Sequence, residues 1–409
     1  MKIEELKNYK KILILGYGKE GQATERFLRK FVPLTELGIA DKKDSANYLD
    51  EQEKYDLIIR SPGIPKKLIT RPYTTASNIF LANIDNVVIG VTGTKGKSTT
   101  VSLIYSILKE AGKKAFLIGN IGKPMLDEML KPIGKEDIFV CEFSSYQLDD
   151  IKYSPHISVV LDLFPEHMNY HGDVQNYYNA KKNIIAQVAA DDYFIYNPKF
   201  TDLKSWADNS HCKNIPFEQN ILIRDEDIPL IGNHNKENIK ATITVAHLLD
   251  IDNNTIVKAI KEFKPLPHRL ELIGKFKEII FYDDAISTTP QSTILAIESL
   301  KNVGTIFLGG TDRGYDFNKM VEVIIEYKIP NIVLFPESGD VISKIIKSKK
   351  AEYLHIFNTK SMEEAVKFAY EHTPKNKICL LSNASPSYSL WKNFEEKGDL
   401  FRSFVKKYK

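Results

Sequence analysis

The chain has 409 residues, which at roughly 150 residues per domain predicts two or three domains, and we take three. Its 56 Lys and Arg residues nearly balance its 53 Asp and Glu residues, and the resulting formal charge of +3 does not favour a nucleic-acid partner. No apolar run approaches the roughly 18 residues of a membrane span, the polar N-terminus does not resemble a signal peptide, and three cysteines without metal-type spacing favour a reduced, cytoplasmic setting.

Short apolar runs that end in Gly or Asp alternate with stretches of helical period along the whole chain. This alternation predicts α/β units with parallel strands. The first block covers residues 1–84, the second 85–264 and the third 265–409, and the proline-punctuated segment 264–267 is typical of a domain linker. Further strands are predicted at 11–16, 87–89, 138–141, 157–161, 278–283, 304–309, 331–335 and 377–381.

Glycines follow the first predicted strand, in a pattern typical of a dinucleotide site. Asp41 closes the next strand about twenty residues later, as the pattern requires. A second polar turn, at 60–63, follows another strand, and Lys42 and Lys43 follow Asp41 directly. A diphosphate held here would fit either NAD or a UDP-sugar. The residues of this prediction are Gly16, Gly18, Gly21, Asp41, Lys42, Ser61, Pro62 and Gly63.

The second block opens with a strand that leads into the turn TGTKGKST at residues 92–99. Gly93 and Gly96 allow successive backbone N–H groups to face one point, where the following helix adds its positive end. Lys97 is placed to reach outer phosphates, and Ser98 to offer its hydroxyl to magnesium. The strict phosphate-loop pattern requires glycine at position 91, where this chain has valine. The turn is therefore predicted to be a variant nucleotide-binding loop.

Candidate metal ligands come directly after two further strands of the second block. Glu142 follows the strand at 138–141, and Glu166 and His167 follow the strand at 157–161. A single Glu or His is more often an ordinary surface residue, but open α/β sheets place ligands at the carboxyl ends of their strands. The phosphate loop lies at such an end too, so convergence favours a metal site. Lys181, by composition alone, reads as a solvated helix lysine.

These motifs together resemble the Mur ligases, the family of ATP-dependent amide-forming enzymes that build the peptidoglycan peptide. The resemblance spans nearly the whole chain and includes, in register, TGTKGKST, GNIG at 119–122, EFSSYQ at 142–147, EHM at 166–168, NAK at 179–181, PHR at 267–269 and NFE at 393–395. The strings SPG at 61–63, LPHR at 266–269 and FEEKG at 394–398 are similar to those of the glutamate-adding members in particular.

The resemblance implies an α/β fold of three domains. These are a Rossmann-like UDP-binding domain, a P-loop-type central ATPase domain with a mainly parallel sheet, and a Rossmann-like C-terminal amino-acid-binding domain. It implies that ATP and two magnesium ions serve to add glutamate to UDP-N-acetylmuramoyl-L-alanine through an acyl phosphate. It also implies a cytoplasmic monomer whose partners are these small molecules, with no nucleic acid and no membrane.

The resemblance also assigns roles to residues of this chain. The catalytic residues are Lys97, Glu142, His167 and Lys181, and the metal ligands are Ser98, Glu142, His167 and a carbamylated Lys181. The ATP-binding residues are Gly93, Thr94, Lys95, Gly96, Lys97, Ser98, Thr99, Asn235, Asn238, Arg269 and Asp284. The UDP-sugar site takes the residues of the first-block prediction together with Asn120, Ser145 and Gln147. The glutamate-binding residues are Thr288, Arg313, Ser387 and Phe394.

The third block departs from the pattern of the family at two positions. Ile286 stands where the glutamate-adding members usually have a lysine, and Arg313 stands where another carboxylate-binding lysine is usual. Arginine can still bind a carboxylate, and can do so bidentately. One interpretation is a divergent D-glutamate ligase that relies on Arg313. The other is the variant that adds L-glutamate, which the string ISTTP at 286–290 resembles. D-glutamate is our expectation, and L-glutamate stays open.

Functions of other classes explain less of the sequence. An NAD-dependent dehydrogenase accounts for the first block only and leaves the magnesium-type residues without a role. An inactive nucleotide-binding scaffold would bind ATP without substrate-dependent hydrolysis. Folate polyglutamylation shares the amide chemistry but does not need a UDP-type first domain. The diaminopimelate and lysine ligases usually carry the string DNPR, which is absent here.

Overall fold

The computed structural model describes residues 1–349, 351 and 353–409. The chain divides into two compact units, of which the first comprises Met1–Asp227 and Lys236–Phe263, and the second Ile228–Asn235 and Lys264–Lys409. The first unit holds two β-sheets and the second holds one. Each sheet lies within one of the predicted ranges 1–84, 85–264 and 265–409, but the division into three domains stays a prediction.

The first sheet is parallel, with the strand order β2-β1-β3-β4. Its strands are β1 (Lys11–Leu15), β2 (Glu36–Ala40), β3 (Leu57–Arg60) and β4 (Tyr73–Thr74). The chain runs from β1 to β2 on one side and then crosses to β3 on the other. The adjacent strands β1 and β3 therefore flank a topological switch point, where open α/β sheets bind their ligands.

The second sheet is also parallel and has the order β10-β9-β8-β5-β7-β6. Its strands are β5 (Val88–Thr92), β6 (Ala115–Gly119), β7 (Ile138–Glu142), β8 (Ile157–Val160), β9 (Tyr193–Tyr196) and β10 (Lys213–Pro216). All residues of β5, β7 and β8 are buried, as expected for strands covered on both faces. The turns after β5, β7 and β8 thus lie side by side at one edge.

The third sheet has the order β11-β12-β16-β13-β14-β15. Its strands are β11 (Glu271–Phe276), β12 (Ile279–Asp283), β13 (Val303–Gly309), β14 (Asn331–Phe335), β15 (His355–Asn358) and β16 (Ile378–Leu381). The β11–β12 pair is antiparallel and every other pair is parallel. A predominantly parallel sheet needs crossover helices on its faces, and the alternation of strands and helices in the sequence supplies them.

Sixteen α-helices connect the strands in the described part of the chain. They are α1 (Ile3–Leu6), α2 (Lys19–Phe31), α3 (Ala76–Ala82), α4 (Lys97–Glu110), α5 (Met125–Glu128), α6 (Ser145–Leu148), α7 (Met168–His171), α8 (Val174–Lys182), α9 (Thr201–Asp208), α10 (Asn233–Leu248), α11 (Asn253–Glu262), α12 (Pro290–Leu300), α13 (Asn318–Glu326), α14 (Ser338–Ser348), α15 (Met362–His372) and α16 (Phe394–Lys407).

Local sequence explains where several of these helices begin. The side chain of Asp173 accepts a hydrogen bond from the Asn176 N–H at the start of α8. Thr289 caps α12, and Pro290 occupies its first turn, where a missing N–H costs nothing. Asn393 caps α16 through the Glu396 N–H. Small polar residues at these positions satisfy backbone donors that the helix itself leaves unpaired.

The predicted fold class is confirmed by these observations. The chain is an α/β protein with three sheets, and the central sheet is parallel throughout. Separate apolar clusters pack on the faces of the sheets, for example around Phe139 and Phe143 in the first unit and around Phe307 and Phe335 in the second. The polar motifs of the sequence are consequently left to the strand ends.

Candidate active site

The turn after β5 has the backbone of a ligand-binding loop. Gly93 has φ +156° and Gly96 has φ +79°, and Gly96 immediately precedes the first residue of α4. A Cβ at Gly96 would lie 2.2 Å from Oδ1 of Asn238, so that a side chain fits neither the backbone conformation nor the space. Asn238, predicted to bind ATP, is therefore packed against the loop by its place on α10.

Two lysine ammonium groups meet at the carbonyl of Gly93. Nζ of Lys97 donates to the carbonyl oxygens of Gly93 (3.0 Å) and Thr94 (2.9 Å), and Nζ of Lys181 donates to the Gly93 oxygen at 2.6 Å. Lys181 is only 1% exposed, so the reading of it as a solvated helix lysine was wrong: α8 turns this residue inward. Burial lowers the pKa of both lysines, and for Lys181, whose pKa falls well below the usual range, the charge of Lys97 adds to the effect.

Asp162 is a residue of this site that the sequence analysis missed. Its Oδ1 accepts the backbone N–H groups of Thr94 (2.6 Å) and Lys95 (2.9 Å), both within the predicted phosphate loop. Burial raises its pKa, while the Lys95 N–H, Lys97, Lys181 and the Thr94 N–H oppose that rise. Its position two residues beyond the end of β8 was the available signal, because the neighbouring strand ends had already been singled out.

Glu142, the last residue of β7, offers a carboxylate to the same edge. The side chain is 1% exposed, and its Oε1 accepts a hydrogen bond from Nδ2 of Asn120 at 2.9 Å. Its Oε2 is buried and has no hydrogen-bond partner among the described residues. A buried carboxylate oxygen without a partner is costly, and it fits a hard divalent cation, which takes oxygen ligands.

His167 begins the short helix α7 with a left-handed backbone, at φ +60°. Its ring lies against Tyr146, with 5.0 Å between ring centroids. Burial lowers the pKa of His167 to about 4, so that the imidazole is neutral near pH 7 and has a lone pair for a metal. Burial acts to raise the pKa of Glu166, but its ion pair with Lys95 (2.8 Å) and the proximity of His167 lower it overall.

Ser98 and Thr99 occupy the first turn of α4 and are each 7% exposed. Together with Lys97, Glu142 and His167 they come from the ends of the adjacent strands β5, β7 and β8. Oxygen and imidazole groups thus lie at the same edge as a loop with glycine-permitted turns and the amino groups of Lys97 and Lys181. This arrangement suits a metal-bound polyphosphate.

The two predicted diphosphate turns of the first sheet are in direct contact. The Ser61 hydroxyl donates to the Gly16 carbonyl at 2.9 Å, and a Cβ at Gly21 would lie 2.2 Å from that same oxygen. Asp41 accepts the N–H groups of Tyr17 (2.6 Å) and Lys43 (2.9 Å), which lower its pKa. The remaining residues of this prediction, Gly18, Lys42, Pro62 and Gly63, are exposed or partly exposed around these turns.

The substrate-side residues predicted on the central sheet lie at the start of α6. Ser145 and Gln147 are 3% and 4% exposed. The Ser145 hydroxyl is 3.1 Å from Nε2 of His171, and Nε2 of Gln147 donates to a carboxylate oxygen of Glu20 at 3.3 Å. Burial raises the pKa of Glu20 to about 7. Because Glu20 lies in the first turn of α2, the two halves of the predicted UDP-sugar site touch here.

Four predicted residues of the second unit follow strands of the third sheet: Asp284 and Thr288 come after β12, Arg313 after β13 and Ser387 after β16. Asp284 is 4% exposed and accepts hydrogen bonds from the hydroxyls of Ser287 (2.5 Å) and Ser382 (2.8 Å), yet burial raises its pKa to about 7. Ser387 is 3% exposed, and its hydroxyl has no hydrogen-bond partner among the described residues. Arg313 is exposed, and the other predicted residues, Asn235, Arg269, Thr288 and Phe394, are buried or partly buried.

A second set of charged residues near Asp284 was also missed. Nδ1 of His268 is 2.7 Å from Oδ2 of Asp283, which raises the pKa of His268. Lys397, on α16, is fully buried, and its ammonium has no hydrogen-bond partner among the described residues; burial lowers its pKa to about 7. His268, Glu271 and Asp283 are close enough to share a metal ion, but Arg402 already pairs with Glu271.

Comparison with known proteins agrees with this geometry. Residues 91–246 match the model of the Mur ligase middle domain. The chain is 31% identical to the UDP-N-acetylmuramoylalanine--D-glutamate ligase of Clostridioides difficile (strain 630), with 97% of this chain and 98% of that protein covered. It is also 31% identical to the enzyme of the same name from Streptococcus agalactiae serotype III (strain NEM316), with 96% of each chain covered. The chain belongs to the Mur ligase family.

Solved structures of other Mur ligases share the fold of this one. MurF from Acinetobacter baumannii aligns with a TM-score of 0.65 at 16% identity, covering 97% of this chain and 93% of that one. The MurF ligase from Thermotoga maritima, solved in complex with ADP, aligns with a TM-score of 0.62 at 16% identity, covering 97% and 95%. Within the described residues of this Mur ligase, no helix is long and apolar enough to cross a membrane.

Proposed function

We propose that this Mur ligase couples glutamate to UDP-N-acetylmuramoyl-L-alanine at the expense of ATP, as the names of its relatives suggest. The proposal rests on the arrangement of residues at one edge of the central sheet. There, the loop of Gly93 and Gly96, the buried carboxylate of Glu142 and the neutral imidazole of His167 follow three adjacent strands. The two contacting turns of the first sheet support a diphosphate-linked substrate.

The reaction we propose has two chemical steps. The alanyl carboxylate of the UDP-sugar attacks the γ-phosphorus of ATP, which breaks the bond to ADP and gives an acyl phosphate. The glutamate amine then attacks the acyl carbon, loses a proton, and expels inorganic phosphate from a tetrahedral intermediate. Negative charge gathers at the transferred phosphoryl group and then at the acyl oxygen, so catalysis depends on positioned positive charge.

The residues of the chain have distinct parts in this scheme. The N–H groups of the loop and the ammonium of Lys97 hold the phosphates of ATP, for which Lys97 exchanges the carbonyls of Gly93 and Thr94. Ser98, Glu142 and His167 would hold magnesium. Bound magnesium neutralises phosphate charge and orients the transferred group. Asn235 and Asn238, with Arg269 and Asp284, are proposed for the nucleoside side of ATP.

Lys181 is proposed to become a carbamate: its neutral amine nitrogen forms a bond to the carbon of carbon dioxide and loses one proton. Its buried position and lowered pKa favour the neutral amine, which is the form that attacks carbon dioxide. An ammonium at this place would repel magnesium, whereas a carbamate carries negative charge and two oxygen ligands. The change thus gives the proposed metal site an anionic ligand where an amine stood.

Glutamate is proposed to bind in the second unit, through Thr288, Arg313, Ser387 and Phe394. We propose D-glutamate as the enantiomer, because the relatives are named for it. Ile286 and the string around it leave L-glutamate as the alternative. We further propose a cytoplasmic monomer that acts on small molecules, with neither nucleic acid nor a membrane as a partner.

The test is a phosphate-release assay with the purified full-length chain, ATP, magnesium and UDP-N-acetylmuramoyl-L-alanine. Glutamate-dependent phosphate release, with a product heavier by one glutamyl residue, supports the function, and parallel reactions with D- and L-glutamate identify the enantiomer. Absence of release with both enantiomers would refute the ligase assignment. Binding of NADH by the same protein would revive the dehydrogenase alternative.

A further inference from the structure

Beyond these roles, we propose that Arg60 is a positioning residue that joins the two halves of the UDP-sugar site and sets the affinity for that substrate. The inference rests on the proposed function, because it assumes that the turn at 61–63 holds the diphosphate. It concerns contacts within the first unit alone.

Arg60 is the last residue of β3 and is entirely buried, at 0% exposure. Its NH1 group donates to three carbonyls of the turn that follows: those of Ser61 (3.5 Å), Pro62 (3.2 Å) and Ile64. One guanidinium nitrogen therefore contacts three backbone carbonyls of the predicted diphosphate turn. The Ser61 hydroxyl in turn holds the Gly16 carbonyl, which extends the arrangement to the glycine turn after β1.

The other end of the guanidinium reaches two segments that connect strands of the central sheet. Nε and NH2 of Arg60 donate to Oδ2 of Asp150 at 3.1 and 2.8 Å, and NH1 is also 3.4 Å from the hydroxyl of Tyr170. Asp150 lies three residues after Gln147, the predicted substrate-side residue, and Tyr170 belongs to α7, which His167 begins. A single side chain thus contacts the diphosphate turn, the segment after α6 and the helix beside the metal site.

Stability alone does not account for such a residue. Burying an ion pair costs desolvation energy, and replacing one by packed apolar residues is often neutral or stabilising. The guanidinium instead fixes the positions of its partners relative to one another, because its planar set of donors can satisfy several acceptors at once. We infer that the Ser61–Gly63 backbone and the segment around Gln147 keep a common orientation through Arg60.

The chain offers a matched control at the same junction. Nζ of Lys66 contacts Asp149, through the backbone oxygen and Oδ1, both at 2.9 Å. This pair joins the same two segments, but Lys66 is 48% exposed. Exposed pairs of this kind contribute little, since water and salt screen them. Loss of Lys66 should therefore leave the UDP-sugar site intact.

The experiment compares Arg60→Met, Arg60→Lys and Lys66→Met in the full chain. KM is measured for UDP-N-acetylmuramoyl-L-alanine and for ATP, with calorimetric binding of each as a second readout. We expect Arg60→Met to raise the KM for the UDP-sugar by about thirtyfold, in line with the loss of several charge-assisted bonds, and to leave the KM for ATP unchanged. The KM of Arg60→Lys for the UDP-sugar should lie between those of the parent and of Arg60→Met, because an ammonium can pair with Asp150 but cannot reach three carbonyls. Both KM values of Lys66→Met should equal those of the parent.

If Arg60→Met does not fold, Asp150→Asn is measured instead, since it keeps the shape of the partner and removes its charge. We then expect a smaller loss of affinity, confined to the UDP-sugar. Unchanged UDP-sugar affinity in the folded variants overturns the inference, and so does an equal loss for ATP and UDP-sugar, which is the mark of general destabilisation. If the parent protein itself does not bind the UDP-sugar, the proposed function fails instead.

Discussion

The strand ends of the central sheet and those of the third sheet both carry buried charge, but they arrange it differently. After β5, β7 and β8, the charged groups bind to the loop itself: Lys97, Lys181 and Asp162 all contact its backbone. After β12, the buried groups bind to one another, as His268 does to Asp283, and Arg313 stands exposed. The edge of the central sheet after β5, β7 and β8, here called the central edge, thus holds its loop in place through these side chains. At the third sheet, the buried charges pair with each other and the guanidinium of Arg313 faces solvent.

The difference predicts that the two regions respond differently to substitution. Changes at the central edge disturb a backbone that several side chains share. Beside the third sheet, isoleucine occupies position 286, where the resemblance predicts a lysine, and the Asp283–His268 pair is buried close by. Substitutions in the two regions should therefore affect different substrates and by different amounts.

The largest effect is expected for Lys97→Ala. In the proposed mechanism the Lys97 ammonium opposes the charge on the transferred phosphoryl group, and removal of one such group costs on the order of 3 kcal/mol in the barrier, or about a hundredfold in rate. Glutamate-dependent phosphate release is the measurement, and UDP-sugar binding by calorimetry is the control that should not change. Full activity in this variant would show that the central edge takes no part in catalysis.

Gly96→Ala should come next, because it adds a Cβ 2.2 Å from Oδ1 of Asn238 at a residue with φ +79°. We expect the KM for ATP to rise by about tenfold, given roughly 1–2 kcal/mol of left-handed strain together with the clash. Gly112→Ala is the matched control: φ there is +71°, but nothing lies within 4 Å of its Cβ. An equal rise of KM in both variants would show that strain alone acts and that the Asn238 contact is unimportant.

Asp162 tests whether the loop needs its carboxylate or only an acceptor. Asp162→Ala leaves the N–H groups of Thr94 and Lys95 without their partner, and we expect the KM for ATP to rise by about tenfold, from roughly 1–3 kcal/mol for such a loss. Asp162→Asn keeps an acceptor oxygen and should retain most of the affinity. If the asparagine variant is as poor as the alanine variant, the negative charge facing Lys97 and Lys181 is what matters.

On the third sheet, Arg313→Met should raise the KM for glutamate by about tenfold while the KM for ATP stays the same, because one charge-assisted hydrogen bond to a carboxylate is lost. Lys319→Met, at an exposed position on the nearby helix α13, is the control for a general loss of positive charge. Equal glutamate KM values in the parent and Arg313→Met would remove this arginine from the amino-acid site.

The smallest effect concerns stability and pH. The Asp283 contact raises the pKa of His268 above its usual 6.5, so its stabilising contribution is complete below pH 6.5 and is lost as pH rises through the raised pKa. The thermal midpoint of the parent should therefore fall over that interval more than that of His268→Gln. Parallel pH profiles for the two proteins would show that the imidazole stays neutral in the fold.

The fold and the central edge were open to prediction because their signals are local. Glycines between a strand and a helix, and acidic or imidazole groups at strand ends, mark positions that a parallel sheet brings together. Lys181 and Asp162 show the limit. The burial of Lys181 depends on which face of α8 packs inward, and the role of Asp162 depends on hydrogen bonds to a loop 67 and 68 residues away in sequence.

The burial of Arg60 was hidden for a related reason. The sequence places Arg60 in the polar turn at 60–63, where an arginine looks like an ordinary solvated residue. Only the contact of β3 with the segment after α6 shows that the side chain is enclosed and pairs with Asp150, 90 residues away. Lys397 is similar, since nothing in a helix that begins FEEKG distinguishes an inward lysine from an outward one.

The hydrogen bonds from Thr94 and Lys95 to Asp162 have a thermodynamic consequence for the encounter with nucleotide. Fixing a backbone residue in one conformation costs roughly 1–2 kcal/mol of conformational entropy. Because Asp162 already immobilises this turn, that cost falls on the folding of the chain rather than on the arrival of ATP. More of the energy of the proposed phosphate contacts then counts towards affinity, because the loop backbone is ordered before the nucleotide arrives.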